Sequence, residues 1–187
     1  MCGFAGSFYF NNNNNAKQFL TWTKQCSKLL EHRGPDAEGF FVNDFLSITS
    51  RRLRIHDLNE KADQPFKDPQ NKYLLAFNGS IFNYLEIRGE LRSYGVIFTT
   101  DSDTEVVMYA LAIWGEKALE KFDGMFSIVF YNKVESTIII ARDKLGIKPL
   151  YYFLDKDKLI FSSEIKPIIK HPLVKKEFNK EVVEEFF

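Results

Sequence analysis

Two groups of short apolar segments, separated by a stretch with helical spacing, most constrain how this chain folds. The first group predicts strands at residues 4–10, 38–42, 45–50 and 72–77, and the second predicts strands at 125–131, 137–141, 150–154 and 158–162. Helices are predicted at 16–31, 84–93 and 103–114. Because the strands cluster instead of alternating singly with helices, the pattern favours antiparallel sheets with flanking helices, an α+β fold.

The strand at 72–77 is predicted to end at Asn78-Gly79. Asn-Gly is the strongest hairpin-turn dipeptide, so a turn is the favoured interpretation of these two residues taken alone. The alternative is functional: an asparagine amide and a glycine N–H at a strand end can both point at one oxygen, as in an oxyanion hole.

Composition and charge narrow the class of protein. The 187 residues, 45% of them hydrophobic, suffice for one domain, or at most two small ones, with a substantial core. Lysine plus arginine equals aspartate plus glutamate at 25 each, so neither nucleic acid nor an anionic membrane surface is indicated as a partner. The chain begins without a positively charged leader, and it contains no apolar stretch of bilayer length, which predicts a cytoplasmic location.

The first of the two cysteines has a chemistry available to no internal cysteine. Once the initiator methionine before Cys2 is removed, a thiol and a free α-amine lie on one residue. An α-amine has a pKa of roughly 7.7–8.0, so near neutrality it can accept the proton of its own nucleophile. Cys26, within the first predicted helix, is interpreted as a buried core residue, and the cysteines and histidines show no spacing typical of a zinc site.

Two charged residues are candidates for binding a substrate, each with a plainer interpretation. Arg52 could bind a carboxylate bidentately, although a single arginine is most often a solvated charge. Asp103 could hold an ammonium group, but Ser102 or Asp103 is also a natural N-cap for the helix that follows.

Taken together, these residues and several further motifs resemble class II glutamine amidotransferases, most closely the N-terminal glutaminase domain of glutamine-dependent asparagine synthetase. The motifs occur in order along the chain, at Cys2-Gly3, 32–36, Arg52-Leu53, 78–84, 102–105, 122–126, 141–151 and 163–166. The resemblance implies an N-terminal-nucleophile hydrolase fold with four αββα layers, in which two antiparallel sheets lie between helical layers. It covers residues 1–187 as one glutaminase domain.

The resemblance also assigns roles to individual residues. Cys2 is the implied nucleophile, with its own α-amine as base, and Asn78 with Gly79 is the implied oxyanion hole. Arg52 is expected to bind the α-carboxylate of glutamine and Asp103 its α-ammonium. The loop residues Leu53, Ile55 and His56, together with Ser80, are expected to line the same pocket. The implied reaction forms a γ-glutamyl thioester, releases ammonia and ends with hydrolysis to glutamate.

Two residues depart from the family's usual pattern. Ser80 stands where the synthetase branch usually has glutamate, and Arg54 stands in the arginine loop where serine is usual. Both changes are expected to touch the pocket. The missing carboxylate at Ser80 leaves Asp103 as the main partner for the ammonium, so weaker glutamine binding is expected.

No cofactor is expected in this domain, and no glycine-rich phosphate loop occurs in it. ATP and magnesium are expected only in a C-terminal synthetase domain, before which the chain is predicted to be truncated, since its amphipathic end at 180–187 stops at two phenylalanines. Such a synthetase domain or subunit is the expected recipient of the ammonia. The oligomeric state stays open, with a homodimer as one option.

Three alternatives remain open at this point. The chain could be a catalytically silent glutamine-sensing or scaffold domain, a hydrolase of another small amide, or a free-standing subunit that supplies ammonia to another acceptor such as a sugar.

Overall fold

The computed structural model describes residues 1–11, 16–55 and 57–176, and the strands of this part form two antiparallel sheets. The first sheet has the order β2-β3-β1-β9-β8, with β1 at Gly3–Tyr9, β2 at Ala37–Val42, β3 at Leu46–Arg52, β8 at Tyr151–Leu154 and β9 at Lys158–Ser162. The second has the order β4-β5-β6-β7, with β4 at Phe66–Lys67, β5 at Tyr73–Ile81, β6 at Gly124–Asn132 and β7 at Thr137–Arg142. Every paired strand runs antiparallel to its neighbour.

Five α-helices accompany these sheets in the described residues: α1 at Leu20–Leu29, α2 at Tyr84–Ser93, α3 at Asp103–Trp114, α4 at Ala118–Lys121 and α5 at Ile165–Ile169. The bounds of α2, α3 and β9 are those that the sequence predicts. The predicted helix at 16–31 is divided instead, because a 3-10 turn at Ala16–Phe19 precedes α1. The predicted helix at 180–187 lies outside the described residues. None of the described helices is long and apolar enough to span a bilayer.

Three separate hydrophobic cores show that the sheets and helices form four layers. Between the sheets, Phe4 and Ile48 of the first sheet pack with Leu74 and Val129 of the second. On the outer face of the first sheet, Tyr9 and Ile160 are among the residues that pack with α1 and α5. On the outer face of the second sheet, β5 and β6 pack against α2 and α3. The arrangement confirms the predicted α+β fold of two antiparallel sheets between helical layers.

The prediction that a strand ends at Asn78-Gly79 is wrong. β5 continues through both residues to Ile81, and Asn78 pairs with Ser127 of β6 while Gly79 pairs with Phe126. A Cβ atom on residue 79 would lie 2.3 Å from the backbone oxygen of Met125. Glycine is therefore present because β6 approaches the β5 backbone closely, and not because the chain turns.

The alternation of side chains along the strands directs three polar residues toward the space between the sheets. In β5 the alternate residues Leu74 and Ala76 belong to the inter-sheet core, so Asn78 continues the same face. In β3 the residues that face this core are Leu46 and Ile48, which places Arg52 on that face as well. Cys2 precedes β1, and its neighbour Gly3 pairs with Arg51, so the thiol residue reaches the same end of the sandwich.

Candidate active site

A cavity of about 240 Å³ lies at this end of the sandwich. It is lined by Met1, Cys2, Arg52, Leu53, Ile55, Gln64, Phe77, Asn78, Gly79, Ser80, Ser102, Asp103, Thr104, Met125 and Lys148. The structure thus brings together all the site residues predicted from the sequence except His56, which lies outside the described residues.

The Cys2 thiol is half-buried and donates a weak hydrogen bond to the carbonyl oxygen of Leu53, with the two atoms 3.8 Å apart. Burial raises the pKa of this thiol, and the opposing effects of that hydrogen bond and of the Arg52 charge do not cancel the rise. The thiol is therefore protonated near neutral pH, and it needs a base before it can act as a nucleophile.

The backbone at Cys2-Gly3 is held by side chains from two of the sequence motifs. Arg33 Nε donates to the carbonyl oxygen of Cys2 at 3.1 Å, and its Nη1 lies 3.5 Å from a carboxylate oxygen of Glu164. Ser163 Oγ accepts a hydrogen bond from the backbone N–H of Phe4 at 3.1 Å. Because residues of both motifs hydrogen-bond to the backbone within two residues of the thiol, they fix the position of Cys2 relative to the first sheet.

Asn78 lines the cavity and carries a buried side-chain amide. Its side chain is 1% exposed, and its Nδ2 atom has no partner among the described residues. An unpaired buried amide costs free energy unless a bound group accepts its hydrogen bond. The amide is therefore suited to donate a hydrogen bond to a negatively charged oxygen of a bound substrate.

Arg52 is buried, and its guanidinium donates hydrogen bonds to residues of the 57–63 loop. Its Nη1 donates to the Asn59 carbonyl at 3.1 Å and to Asp63 Oδ1 at 2.7 Å, and its Nη2 donates to the Asp57 carbonyl at 2.5 Å. These contacts with described residues use three of the five guanidinium N–H groups. The Nε–H of Arg52 makes no hydrogen bond to a described residue, and Arg52 lines the cavity.

Asp103 begins α3 and reaches back to the end of β5. Its Oδ2 accepts a hydrogen bond from the Ile81 backbone N–H at 3.1 Å. The N-cap of α3 is Ser102, whose hydroxyl accepts from the N–H of Thr104 at 3.1 Å. The helix therefore does not need Asp103 as its cap, and this carboxylate lines the cavity.

The two departures from the family pattern lie in different places. Ser80 lines the cavity, as expected. Arg54 does not belong to the described lining, because its guanidinium turns to Asp63, with Nη2 and Oδ2 2.6 Å apart and Nε and Oδ1 3.1 Å apart. The expectation that Arg54 lies in the pocket is therefore corrected: it touches a residue that in turn holds Arg52.

Several lining residues were given no role from the sequence, among them Gln64, Lys148 and Met125. Gln64 Oε1 accepts a hydrogen bond from the Phe77 backbone N–H at 2.7 Å, which ties the end of the 57–63 loop to β5 next to Asn78. Lys148 is largely buried, and its Nζ lies 3.8 Å from the sulfur of Met1. Met125 lies opposite Ser80 across the β5–β6 pair. Lys148 and Met125 belong to the motifs at 141–151 and 122–126, but the sequence indicated no function for either residue.

A protein-family model described as a glutamine amidotransferase domain matches residues 1–187. This chain belongs to the glutamine amidotransferase domain family. The prediction made from its motifs is thereby confirmed, and so is the prediction that it is an enzyme domain.

Relatives of this glutamine amidotransferase domain include two named asparagine synthetases. Asparagine synthetase (glutamine-hydrolyzing) 1 of Bacillus subtilis is 39% identical over 169 residues, which cover 90% of this chain and 27% of the relative. Asparagine synthetase B (glutamine-hydrolyzing) of Escherichia coli is 34% identical over 181 residues, covering 95% of this chain and 32% of the relative. The chain therefore spans about a third of these relatives or less.

A solved structure shows the same fold. The glutamine phosphoribosylpyrophosphate amidotransferase from B. subtilis, complexed with ADP and GMP, matches 90% of this chain and 43% of its own with a TM-score of 0.68. The two sequences are 22% identical in that match, so the similarity concerns the fold alone.

Proposed function

We propose that this domain hydrolyses L-glutamine to L-glutamate and ammonia, with Cys2 as the nucleophile after removal of Met1. One observation carries the proposal: the thiol residue lines the same cavity as a buried amide, Asn78 Nδ2, that has no partner among the described residues. The family match and the placement of Arg52 and Asp103 in that cavity support it.

The proposed reaction has two steps. The freed α-amine of Cys2 takes the thiol proton, and the sulfur adds to the γ-carbonyl carbon of glutamine. The resulting oxyanion accepts hydrogen bonds from Asn78 Nδ2 and from the backbone N–H of Gly79. Collapse of this intermediate breaks the C–N bond, and the amine returns the proton to the leaving ammonia. Water then adds to the thioester carbon, and the thiol leaves with a proton as glutamate forms.

The two charged residues account for selectivity toward a free amino acid. The Nε edge of Arg52 suits the α-carboxylate, and Asp103 suits the α-ammonium. A glutamine within a peptide has neither charge, so it would form neither ion pair and would lose that part of the binding free energy.

We further propose that the ammonia serves an ATP-dependent synthetase of the asparagine synthetase kind. The support is the share of each curated relative that lies beyond the matched region, together with the names of those relatives. ATP and magnesium would bind in that synthetase and not in the cavity described above. A reducing cytoplasm would keep the Cys2 thiol free for the reaction.

The test is to measure ammonia and glutamate release from glutamine by the wild type and by Cys2→Ala, with intact mass after treatment with a glutamine-analogue electrophile. We expect equal amounts of both products, one label on the wild type lacking Met1, and neither products nor label on the variant. A wild type that lacks Met1 but forms no products and takes no label would instead indicate a catalytically silent domain.

A further inference from the structure

One carboxylate, that of Asp63, lies between two arginine side chains. Its Oδ1 is 2.7 Å from Arg52 Nη1 and 3.1 Å from Arg54 Nε, and its Oδ2 is 2.6 Å from Arg54 Nη2. Arg54 therefore binds the Asp63 carboxylate bidentately, through two hydrogen bonds, and Arg52 donates to one of the same carboxylate oxygens. The three side chains form a single cluster, which we call the Arg52–Asp63–Arg54 cluster.

The cluster passes from the cavity toward the surface. The Arg52 side chain is 6% exposed, whereas those of Arg54 and Asp63 are 22% and 27% exposed. Partial burial by itself would raise the pKa of Asp63, but the hydrogen bonds from Arg54 and Arg52 outweigh it, and the pKa is lowered. Asp63 is therefore ionised at neutral pH, with a full negative charge beside the arginine that lines the cavity.

That charge creates a problem for a site that must bind a carboxylate. An arginine paired with one aspartate is a neutral unit, and it attracts an anionic ligand less than a lone arginine does. Arg54 restores the balance, because two guanidinium groups and one carboxylate sum to a single positive charge. Two further acidic groups lie near Arg54. Glu60 is 3.9 Å from its Nη2 and 86% exposed, and Asp36, also exposed, accepts a hydrogen bond from the Arg54 backbone N–H at 2.9 Å, so water screens both carboxylates strongly.

We propose that Arg54 is a positioning residue for the glutamine site: it cancels the charge of Asp63, so that Asp63 can fix the orientation of Arg52 without weakening its attraction for the α-carboxylate. This inference rests on the proposed function and deepens it. Arg54, which was expected to touch the pocket, thus supports glutamine binding from outside it, through Asp63.

The test compares glutamine with its α-methyl ester, which lacks the carboxylate charge, by ammonia release from the wild type and three variants. In Arg54→Met we expect the KM for glutamine to rise about tenfold, with kcat and the KM for the ester little changed. Arg54→Lys keeps the charge and should retain most of the affinity for glutamine. In Arg54→Met/Asp63→Asn the neutral amide can still accept from Arg52, so the KM for glutamine should return close to the wild-type value.

Two results would overturn the inference. One is an unchanged KM for glutamine in Arg54→Met, and the other is an equal rise for glutamine and its ester, which would show a general loss of structure. Lys121→Met is the matched control, because it removes a cation from an ion pair with Glu90 outside the cavity lining, and it should change neither KM. Calorimetric binding of glutamine to Cys2→Ala and Cys2→Ala/Arg54→Met tests the inference even if the domain proves unable to hydrolyse glutamine.

Discussion

Asn78 lies directly opposite Ser127 where β5 pairs with β6, and each residue has a buried side-chain polar atom without a partner among the described residues. Directly opposed residues of an antiparallel pair project from the same face of a sheet. For Asn78 that face ends in the cavity, whereas Ser127 does not belong to the described lining. Asn78 Nδ2 and Ser127 Oγ thus differ, because only Asn78 lines the cavity in which a substrate could accept its hydrogen bond.

Replacing each member of this pair by alanine separates catalysis from stability. We expect Asn78→Ala to lower kcat/KM for glutamine about 100- to 1000-fold, the effect of losing one oxyanion-hole donor. Because its Nδ2 has no partner in the described structure, the free energy of unfolding should change by only about 1 kcal/mol. Ser127→Ala, the matched control, should keep its activity. Similar activity losses in both variants would contradict a donor role for Asn78.

The two glycines at 79 and 89 offer a second matched pair. In Gly79→Ala the new methyl group would meet the backbone oxygen of Met125 at 2.3 Å, so the β5–β6 pair must move apart. We expect a loss of about 2 kcal/mol in the free energy of unfolding. In Gly89→Ala, within α2, the methyl group meets no described atom within 4 Å, and a gain of about 0.5 to 1 kcal/mol is expected. Urea unfolding of both variants measures the contrast, and a neutral Gly79→Ala would show that β6 is farther from β5 than described.

Removal of Met1 should switch the domain on. While Met1 is present, the nitrogen of Cys2 belongs to an amide and cannot act as a base, and Met1 itself lines the cavity. A protease-cleavable tag placed directly before Cys2 should give a protein that releases no ammonia until it is cut. Ammonia release from the uncut protein would disprove the role of the α-amine.

A protein that retains Met1 tests the thiol. Burial raises the pKa of Cys2 when Met1 is present, and it raises the pKa of Cys26, which is fully buried, to about 12. Alkylation of Cys2 by iodoacetamide in the form that retains Met1 should therefore keep accelerating beyond pH 9, while Cys26 stays unmodified in the folded protein. Peptide mass mapping distinguishes the two sites, and a rate that levels off near pH 7 would contradict the raised pKa.

The buried side chain of His171 predicts that the domain loses stability in acid. His171 is 2% exposed beside the rings of Phe19 and Trp22, and burial, with a smaller effect of Lys158, lowers its pKa from 6.5 to about 4. Between those values the unfolded chain binds a proton that the folded chain does not, so the free energy of unfolding decreases as pH falls from 6.5 to 4. The full effect is up to about 3 kcal/mol.

Urea unfolding of the wild type and of His171→Gln at several pH values measures this contribution. The variant is less stable at pH 7 but should lose less stability on acidification, so the two curves should converge toward pH 4. Parallel curves would show that other groups cause the acid sensitivity.

Local patterns predicted the elements whose boundaries are set locally. Tyr84–Ser93 and Asp103–Trp114 are helices with the predicted bounds, because helical spacing and a following glycine suffice to define them. Asn78-Gly79 was the failure: its turn propensity is overridden by pairing with Ser127 and Phe126, residues almost 50 positions later in the chain. The two-residue strand Phe66–Lys67 was missed for the same reason, since it exists only through its pairing with β5.

The site, like the fold, could be predicted only in part. Chemistry and motif order singled out Cys2, Arg52 and Asp103, and the structure places all three at one cavity. The partner of Arg54 could not be predicted, because nothing in a polar loop indicates that residue 63 folds back to bridge residues 52 and 54. Side-chain direction in such a loop depends on how it packs against β5, and that packing is a tertiary property.

The cavity draws its walls from both halves of the sandwich, with Arg52 at the end of a strand in one sheet and Asn78 on a strand of the other. Its working dimensions are therefore set by the thickness of the apolar layer between the sheets. Trimming a large side chain in that layer, such as Phe4 or Leu74, would let the sheets shift and would alter the gap that a bound glutamine must span. Selection on the interior of this domain is thus also selection on its substrate fit, even at positions that never touch the ligand.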